Sequence, residues 1–167
     1  FIYRVKKNKL AIIDLEKTDE RIKQAAQLLS QFDPEDILLV SRKEEGWKPI
    51  VKFAEITGAN RIYDRFMPGI LTNPKLPNFF ETQMVFVCDP WVDKNAMNDA
   101  KRVKSDVFAL CDTNNYTFKI DQVIPINNKS DQAIGLAFYV LAREYKKERG
   151  EDIDFQKEDF IKEKSEE

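Results

Sequence analysis

Five short runs of this chain are apolar almost throughout: LAIID at 10–14, ILLV at 37–40, MVFVCD at 84–89, VFALCD at 107–112 and VIPI at 123–126. A strand with one wet face alternates apolar and polar residues. A strand that is apolar at every position is buried on both faces, which requires a parallel sheet covered by helices. The intervening stretches have the complementary period. Ile22, Ala25, Ala26, Leu29 and Phe32 recur at helical spacing, with Thr18 as the expected N-cap, and predict a helix over about 19–32. Pro49 in a first turn, followed by Ile50, Phe53, Ala54 and Thr57 and closed by Gly58, predicts a second. A third falls at about 93–104. A long fourth starts after Ser130, carries Ile134, Ala137, Phe138, Leu141 and Tyr145 on one face, and stops at Gly150. Strands alternating with helices predict right-handed βαβ units in a three-layer α/β/α domain with a parallel sheet of about five strands. The matching MVFVCD and VFALCD runs are expected in neighbouring strands, with Cys88 close to Cys111.

One stretch breaks the rhythm. Residues 64–80 contain Pro68, Pro74 and Pro77, which forbid a regular helix or a central strand there. Residues 1–150 therefore read as a single domain, an amount of chain that suits one core, and 151–167 as a charged C-terminal tail. No apolar run approaches the 18 or so residues that would span a membrane.

Composition removes several kinds of chemistry. The chain has no His and only 2 Cys, so Ser-His-Asp and Cys-His catalysis and a Cys/His zinc site are excluded. Its 5 Gly lie at least ten residues apart, which excludes a G-x-G-x-x-G turn and a P-loop. One enzymatic arrangement survives. Ligands of open parallel sheets bind at the carboxyl ends of the strands. Asp14, Asp89 and Asp112 end three predicted strands there, and Lys129 follows a fourth. Such a set is able to hold Mg²⁺ and a phosphoryl group. Aspartates after strands serve equally well as turn and cap residues, because the carboxylate accepts from free backbone N–H groups.

Charge supports a different reading. The net charge is −2, yet residues 144–167 carry ten acidic and six basic side chains, so the body of the chain is slightly basic. Arg4, Lys6, Lys7 and Lys9 form a basic edge without an acid, and Arg42, Lys43 and Lys48 cluster after a strand. In the irregular segment, Arg65, Thr72, Asn73 and Lys75 combine cations with hydrogen-bonding groups suited to RNA phosphates and 2′-hydroxyls. Phe66, Phe79 and Phe80 in the same segment read as anchors to the core. From the residues alone, RNA binding and an ordinary solvated surface remain equally open.

The order of motifs resembles the S-two family of small-subunit ribosomal proteins, in the archaeal and eukaryotic branch that includes the laminin-receptor-like protein SA. The matching stretches are IYRVKKNKLAIIDLEKTDERI at 2–22, KFAEITGA at 52–59, RFMPGILTNP at 65–74, VFVCDPWVDKNA at 85–96, ALCDTNN at 109–115 and IPINNKSDQAIGLAFYVLARE at 124–144. The resemblance implies a flavodoxin-like fold and a structural, non-enzymatic role on the cytoplasmic ribosome. Its implied partners are small-subunit ribosomal RNA and neighbouring ribosomal proteins, with no cofactor, membrane or small-molecule substrate. It implies RNA contacts from Arg65, Thr72 and Asn73 in the irregular loop, beside the cations Arg4, Lys6, Lys7, Arg42, Lys43, Lys75 and Lys129. Pro68, Gly69, Asp89, Pro90, Asp93, Asp112, Asn114 and Asn128 become residues that fix turns. The family normally begins with a helical region containing G-x-H-x-G, to which nothing here corresponds.

Overall fold

The computed structural model describes residues 1–7 and 11–161. Two short strands, β1 (Ile2–Val5) and β2 (Ala11–Ile13), pair antiparallel with each other. The 10–14 run is thus not a strand of the main sheet, and its described residues, 11–14, are only half-buried. Its pairing partner is the basic edge: Arg4 lies opposite Ile12. Lys9 and Leu10 lie outside the described residues.

The main sheet is built from β3 (Ile37–Ser41), β4 (Asn60–Tyr63), β5 (Met84–Val87), β6 (Asp106–Cys111) and β7 (Gln122–Pro125). All its pairings are parallel, and the order is β4-β3-β5-β6-β7. Numbered from the first strand of the sheet, that order is 2-1-3-4-5, the flavodoxin-like doubly wound arrangement. Pro125 is tolerated in β7 because β7 is an edge strand, where one face of the ladder has no partner to supply.

Among the described residues four α-helices cover the sheet: α1 (Leu15–Leu29), α2 (Trp47–Thr57), α3 (Lys94–Arg102) and α4 (Asp131–Arg149). Helices α1, α2 and α4 share one face. There Ile22, Leu29, Phe53, Phe138 and Leu141 meet Ile37, Leu39, Phe86, Phe108 and Leu110. Burying each such side chain contributes about 1.5–3 kcal/mol. The opposite face is smaller and is shared by α3 with the 64–80 segment, whose Phe66, Ile70 and Leu71 pack on Leu38, Val40, Val85 and Val87. The segment therefore takes the place of a crossover helix. Phe66 is a core anchor as expected, and the prolines do no harm because this layer needs side chains rather than a hydrogen-bond ladder.

The period of two decides the cysteines. Cys88 faces the α1/α2/α4 layer and Cys111 faces the α3 layer. They lie at the ends of adjacent strands, Cys88 just after β5 and Cys111 closing β6, but on opposite sides of the sheet, so they are not close in the sense expected. Burial pushes both thiols upward, Cys111 to about 12.

Cap positions differ from expectation at one end of the sheet. Asp14, not Thr18, caps α1, its carboxylate accepting from the Glu16 N–H at 3.2 Å. Thr18 sits buried inside the first turn and donates to the Pro125 carbonyl at 2.7 Å, tying α1 to β7. Gly58 and Gly150 close α2 and α4 in the left-handed conformation, as read from their spacing.

The chain remains packed beyond Gly150. Phe155 and Phe160 are buried and stand edge-on to each other and to Tyr139 of α4, with ring centroids 5.7–6.0 Å apart. Gly135 permits this approach: a Cβ there would lie 2.6 Å from the Phe160 carbonyl oxygen. The Lys48 ammonium donates to the Ile161 carbonyl from α2. Charge density alone hides this docking, since two phenylalanines among acids show no helical or strand period. Among the described residues, no helix is long and apolar enough to cross a membrane.

Candidate nucleic-acid interface

In doubly wound sheets, ligands enter where the strand order reverses, at the carboxyl ends of the strands. That switch point lies here between β3 and β5, whose ends are Ser41-Arg42-Lys43 and Cys88-Asp89-Pro90. The chain fills it with its own groups. The Asp93 carboxylate, 2% exposed, accepts from the Arg42 N–H at 2.9 Å and from the Asp89 N–H at 3.3 Å. A carboxyl group of the chain itself thus stands between the strand ends and bridges their backbone donors. Burial raises its pKa to about 7, although the two N–H donors favour the ionised form.

Beside it, Asp89 forms an ion pair with Lys43 and accepts from the Trp91 N–H at 2.9 Å and the Asn115 amide at 3.1 Å. The Asn128 amide, 1% exposed, donates to the Leu110 carbonyl at 3.1 Å and to Asn115 Oδ1 at 2.9 Å. Asn115 Oδ1 also accepts from the Asp112 N–H at 2.8 Å, and Asp112 pairs with Lys129 at 3.3 Å. One hydrogen-bonded network therefore joins the ends of β5, β6 and β7. Polar groups removed from water at a sheet rim need such partners, and fully satisfied networks hold one geometry.

The phosphoryl-transfer set is only partly assembled. Asp89, Asp112 and Lys129 line one depression of about 350 Å³ together with Lys43, Asn114 and Asn115. Asp14 is elsewhere, capping α1 and 3.8 Å from Lys17. Each carboxylate in the depression has its own lysine, leaving no uncompensated charge to attract a divalent cation. Among the described residues, no group of three or more acidic, Cys or His side chains is arranged to hold a metal.

The residues assigned to turns fall into two sets. Asp89, Pro90, Asp112 and Asn128 belong to the rim network or border it. Asn114 is exposed, and the adjacent Asn115 makes the turn-fixing bonds. Pro68 and Gly69 lie in the 64–80 segment, where Gly69 adopts φ +101°, a conformation only glycine takes without strain. Its N–H donates to buried Asp99 of α3 at 2.6 Å, which fixes the segment against the domain.

The cations divide similarly. Lys43 and Lys129 are engaged with aspartates. Arg4, Lys6 and Lys7 on the two-stranded edge, Arg42 after β3, and Arg65 and Lys75 on the 64–80 segment are exposed, and no carboxylate comes within 4 Å of them among the described residues. Around Lys75 the backbone is shaped by the segment's own turns: Asn73 Oδ1 accepts from the Lys75 N–H at 3.1 Å, and the half-buried Thr72 donates its N–H to Gly69. Arg65, Asn73 and Lys75 thus stand outward on a rigid base.

A model of the ribosomal protein S2 family matches residues 1–78 and 75–147. The chain belongs to that family. It is 43% identical over 164 residues to small ribosomal subunit protein uS2 of Methanococcus maripaludis strain C6, and 42% identical to that of strain C5. In each case the alignment covers 96% of this chain and 74% of the relative. Asp93, expected from the resemblance only as a turn residue, instead bridges two strand ends, and sequence reasoning passed over Asn115, whose role depends on partners in other strands. It also passed over Trp91, Tyr116 and Phe118, large aromatics left exposed beside the rim. Their only signal was their place in polar loops, DPWVD and DTNNYTF, outside any apolar period.

Proposed function

We propose that this chain is a structural constituent of the small ribosomal subunit, working on the ribosome by binding ribosomal RNA and neighbouring ribosomal proteins. The observation that carries this reading is the family match running through residues 1–147. The physical means are electrostatic and geometric. Arg4, Lys6 and Lys7 offer one set of cations to phosphates, and Arg65 and Lys75, with Asn73 and Thr72 beside them, offer another. Arg42 lies between these sets in the sequence, at the rim of the sheet. At the filled switch point the Arg42 N–H is held by Asp93, which supports a fixed place for that cation against a folded RNA. No catalysis or cofactor is part of this role.

Incorporation tests it. Small subunits stripped of their own copy of this protein should take up the chain at one copy each, and the bound fraction should fall as salt rises, because phosphate neutralisation releases counterions. Arg65→Glu should weaken uptake about tenfold, the size of a reversed contact near a phosphate. Absence of co-sedimentation at low salt by a folded chain would refute the assignment. Undiminished uptake of Arg65→Glu would remove Arg65 from the RNA contacts.

A further inference from the structure

Beside the rim, Trp91, Tyr116 and Phe118 are 68%, 76% and 77% exposed, an unusual density of uncovered aromatic surface. The Trp91 and Tyr116 rings stand near-parallel, 27° between planes with centroids 6.4 Å apart. They border a groove of about 510 Å³ that Pro90 and Met97 also line. Among the described residues its charged and amide lining is Lys94, Asn98 and Lys119, with no carboxylate. The Lys119 ammonium lies 5.6 Å from the Phe118 ring centroid and donates to Asn98 at 3.1 Å, which holds it at the groove. Lys94 has no acidic partner within 4 Å among the described residues.

A second feature adds to the positive field. Asp93 occupies the N-cap position of α3 but does not cap it, because its carboxylate is turned inward to Arg42 and Asp89. The first-turn N–H groups beside Lys94 therefore lack the acceptor that an N-cap aspartate normally supplies. Flat apolar faces, two cations and first-turn N–H groups that the N-cap side chain leaves uncapped describe a site for something planar and anionic.

We infer that this groove binds unpaired RNA, with a base stacked on the Trp91–Tyr116 platform and the adjoining phosphates on Lys94 and Lys119. Single-stranded RNA meets all three demands at once: bases supply π faces for stacking and the backbone supplies regularly spaced anions. An acidic peptide would satisfy the cations but has no need of near-parallel rings. The inference rests on the ribosomal RNA-binding reading and adds to it a specific site for unpaired nucleotides.

Trp91 reports on its own site, because the second tryptophan, Trp47, is half-buried in α2. Titrating the full chain with a single-stranded hexauridylate at low salt should quench Trp91 fluorescence, whereas a duplex of the same length should leave it unchanged. Trp91→Phe should abolish the quenching signal while retaining binding measured by anisotropy of labelled RNA. Tyr116→Ala should weaken binding about tenfold through lost stacking. Lys94→Gln should weaken it at low salt and reduce the salt dependence by about one phosphate contact. All these residues are exposed, so the variants retain the fold, which circular dichroism checks. Quenching and affinity unaltered in Tyr116→Ala and Lys94→Gln would overturn the inference. So would quenching by an acidic, phenylalanine-containing peptide in the absence of any by RNA, which would make the groove a protein-docking site. A chain that enters subunits in a salt-sensitive manner yet shows no response to single-stranded RNA loses the groove proposal alone. A chain that does neither loses the ribosomal reading as well.

Discussion

Asn128→Ala removes the side chain that ties the ends of three strands together, and its cost can be worked from the contacts. The wild-type amide is 1% exposed and donates to the Leu110 carbonyl and to Asn115 Oδ1 at 3.1 and 2.9 Å, with a longer 3.5 Å approach to the Cys88 carbonyl. Alanine deletes both good bonds and leaves the Leu110 oxygen without this buried donor. A net hydrogen bond contributes about 1 kcal/mol, and a buried acceptor left unpaired costs about 1–3 kcal/mol, which places the loss at about 2–4 kcal/mol. For a domain of this size that corresponds to a fall in Tm of about 4–16 °C. Urea unfolding followed by far-ultraviolet circular dichroism measures it, with the m-value confirming that the same unfolding transition is compared. Asn127→Ala is the control: among the described residues its exposed side chain accepts only from the Lys129 N–H, at 3.0 Å, and it should cost less than about 1 kcal/mol. Asn128→Asp keeps the shape but turns a carboxylate toward two oxygens, so it should be worse than alanine at neutral pH and recover on acidification. An Asn128→Ala variant within about 0.5 kcal/mol of wild type would refute the claim that this network holds the rim.

Asp93 gives a pH signature. Its carboxyl group titrates near 7 in the fold because of burial, against about 4 in the unfolded chain. Between those values the native state binds more protons than the unfolded state, so this group makes stability fall as pH rises from about 4 to about 7. The full effect is on the order of 4 kcal/mol; Asp93→Asn, which cannot ionise, should flatten the stability profile across that window, and an unchanged slope would contradict the assignment. Gly135→Ala should cost about 1–3 kcal/mol and speed proteolysis within 151–161, because the new Cβ would displace the Phe160 backbone; chymotryptic digestion of the folded protein checks this. Cys88 and Cys111, 1% and 4% exposed with thiol pKa values raised by burial, should resist a thiol reagent in the native state and react together on unfolding. They should not form an intramolecular disulfide under mild oxidation, being on opposite faces of the sheet.

Much of the architecture was legible in residue order because it is governed by local period. ILLV, MVFVC and VFALC read as doubly buried strands, and they form the centre of the parallel sheet. Gly58 and Gly150 marked helix ends through their conformational freedom, and the prolines of 64–80 marked a segment without regular structure. The misreadings share a cause. LAIID has the composition of a core strand, but whether such a run joins the main sheet depends on which edges are available. Here β1 captures it. Thr18 and Asp14 are both competent caps, and the choice followed from Pro125, more than a hundred residues away, offering Thr18 a buried acceptor.

The site divides along the same line. Sequence by itself determined that the chain has no histidine chemistry and no phosphate-binding glycine loop, and that its motifs follow the order of a ribosomal protein family. Those conclusions depend on which residues are present and on short spacings. Only the tertiary structure decided that the switch point is occupied by Asp93, that Lys43 and Lys129 are engaged with aspartates while Arg65 and Lys75 face outward, and that Trp91 and Tyr116 form one platform. Burial, ion pairing and ring stacking are relations between residues brought together by different strands and loops. Rim contacts such as Arg42 with Asp93, or Asn115 with Asp89, are set by the order of strands in the sheet, which no local period records.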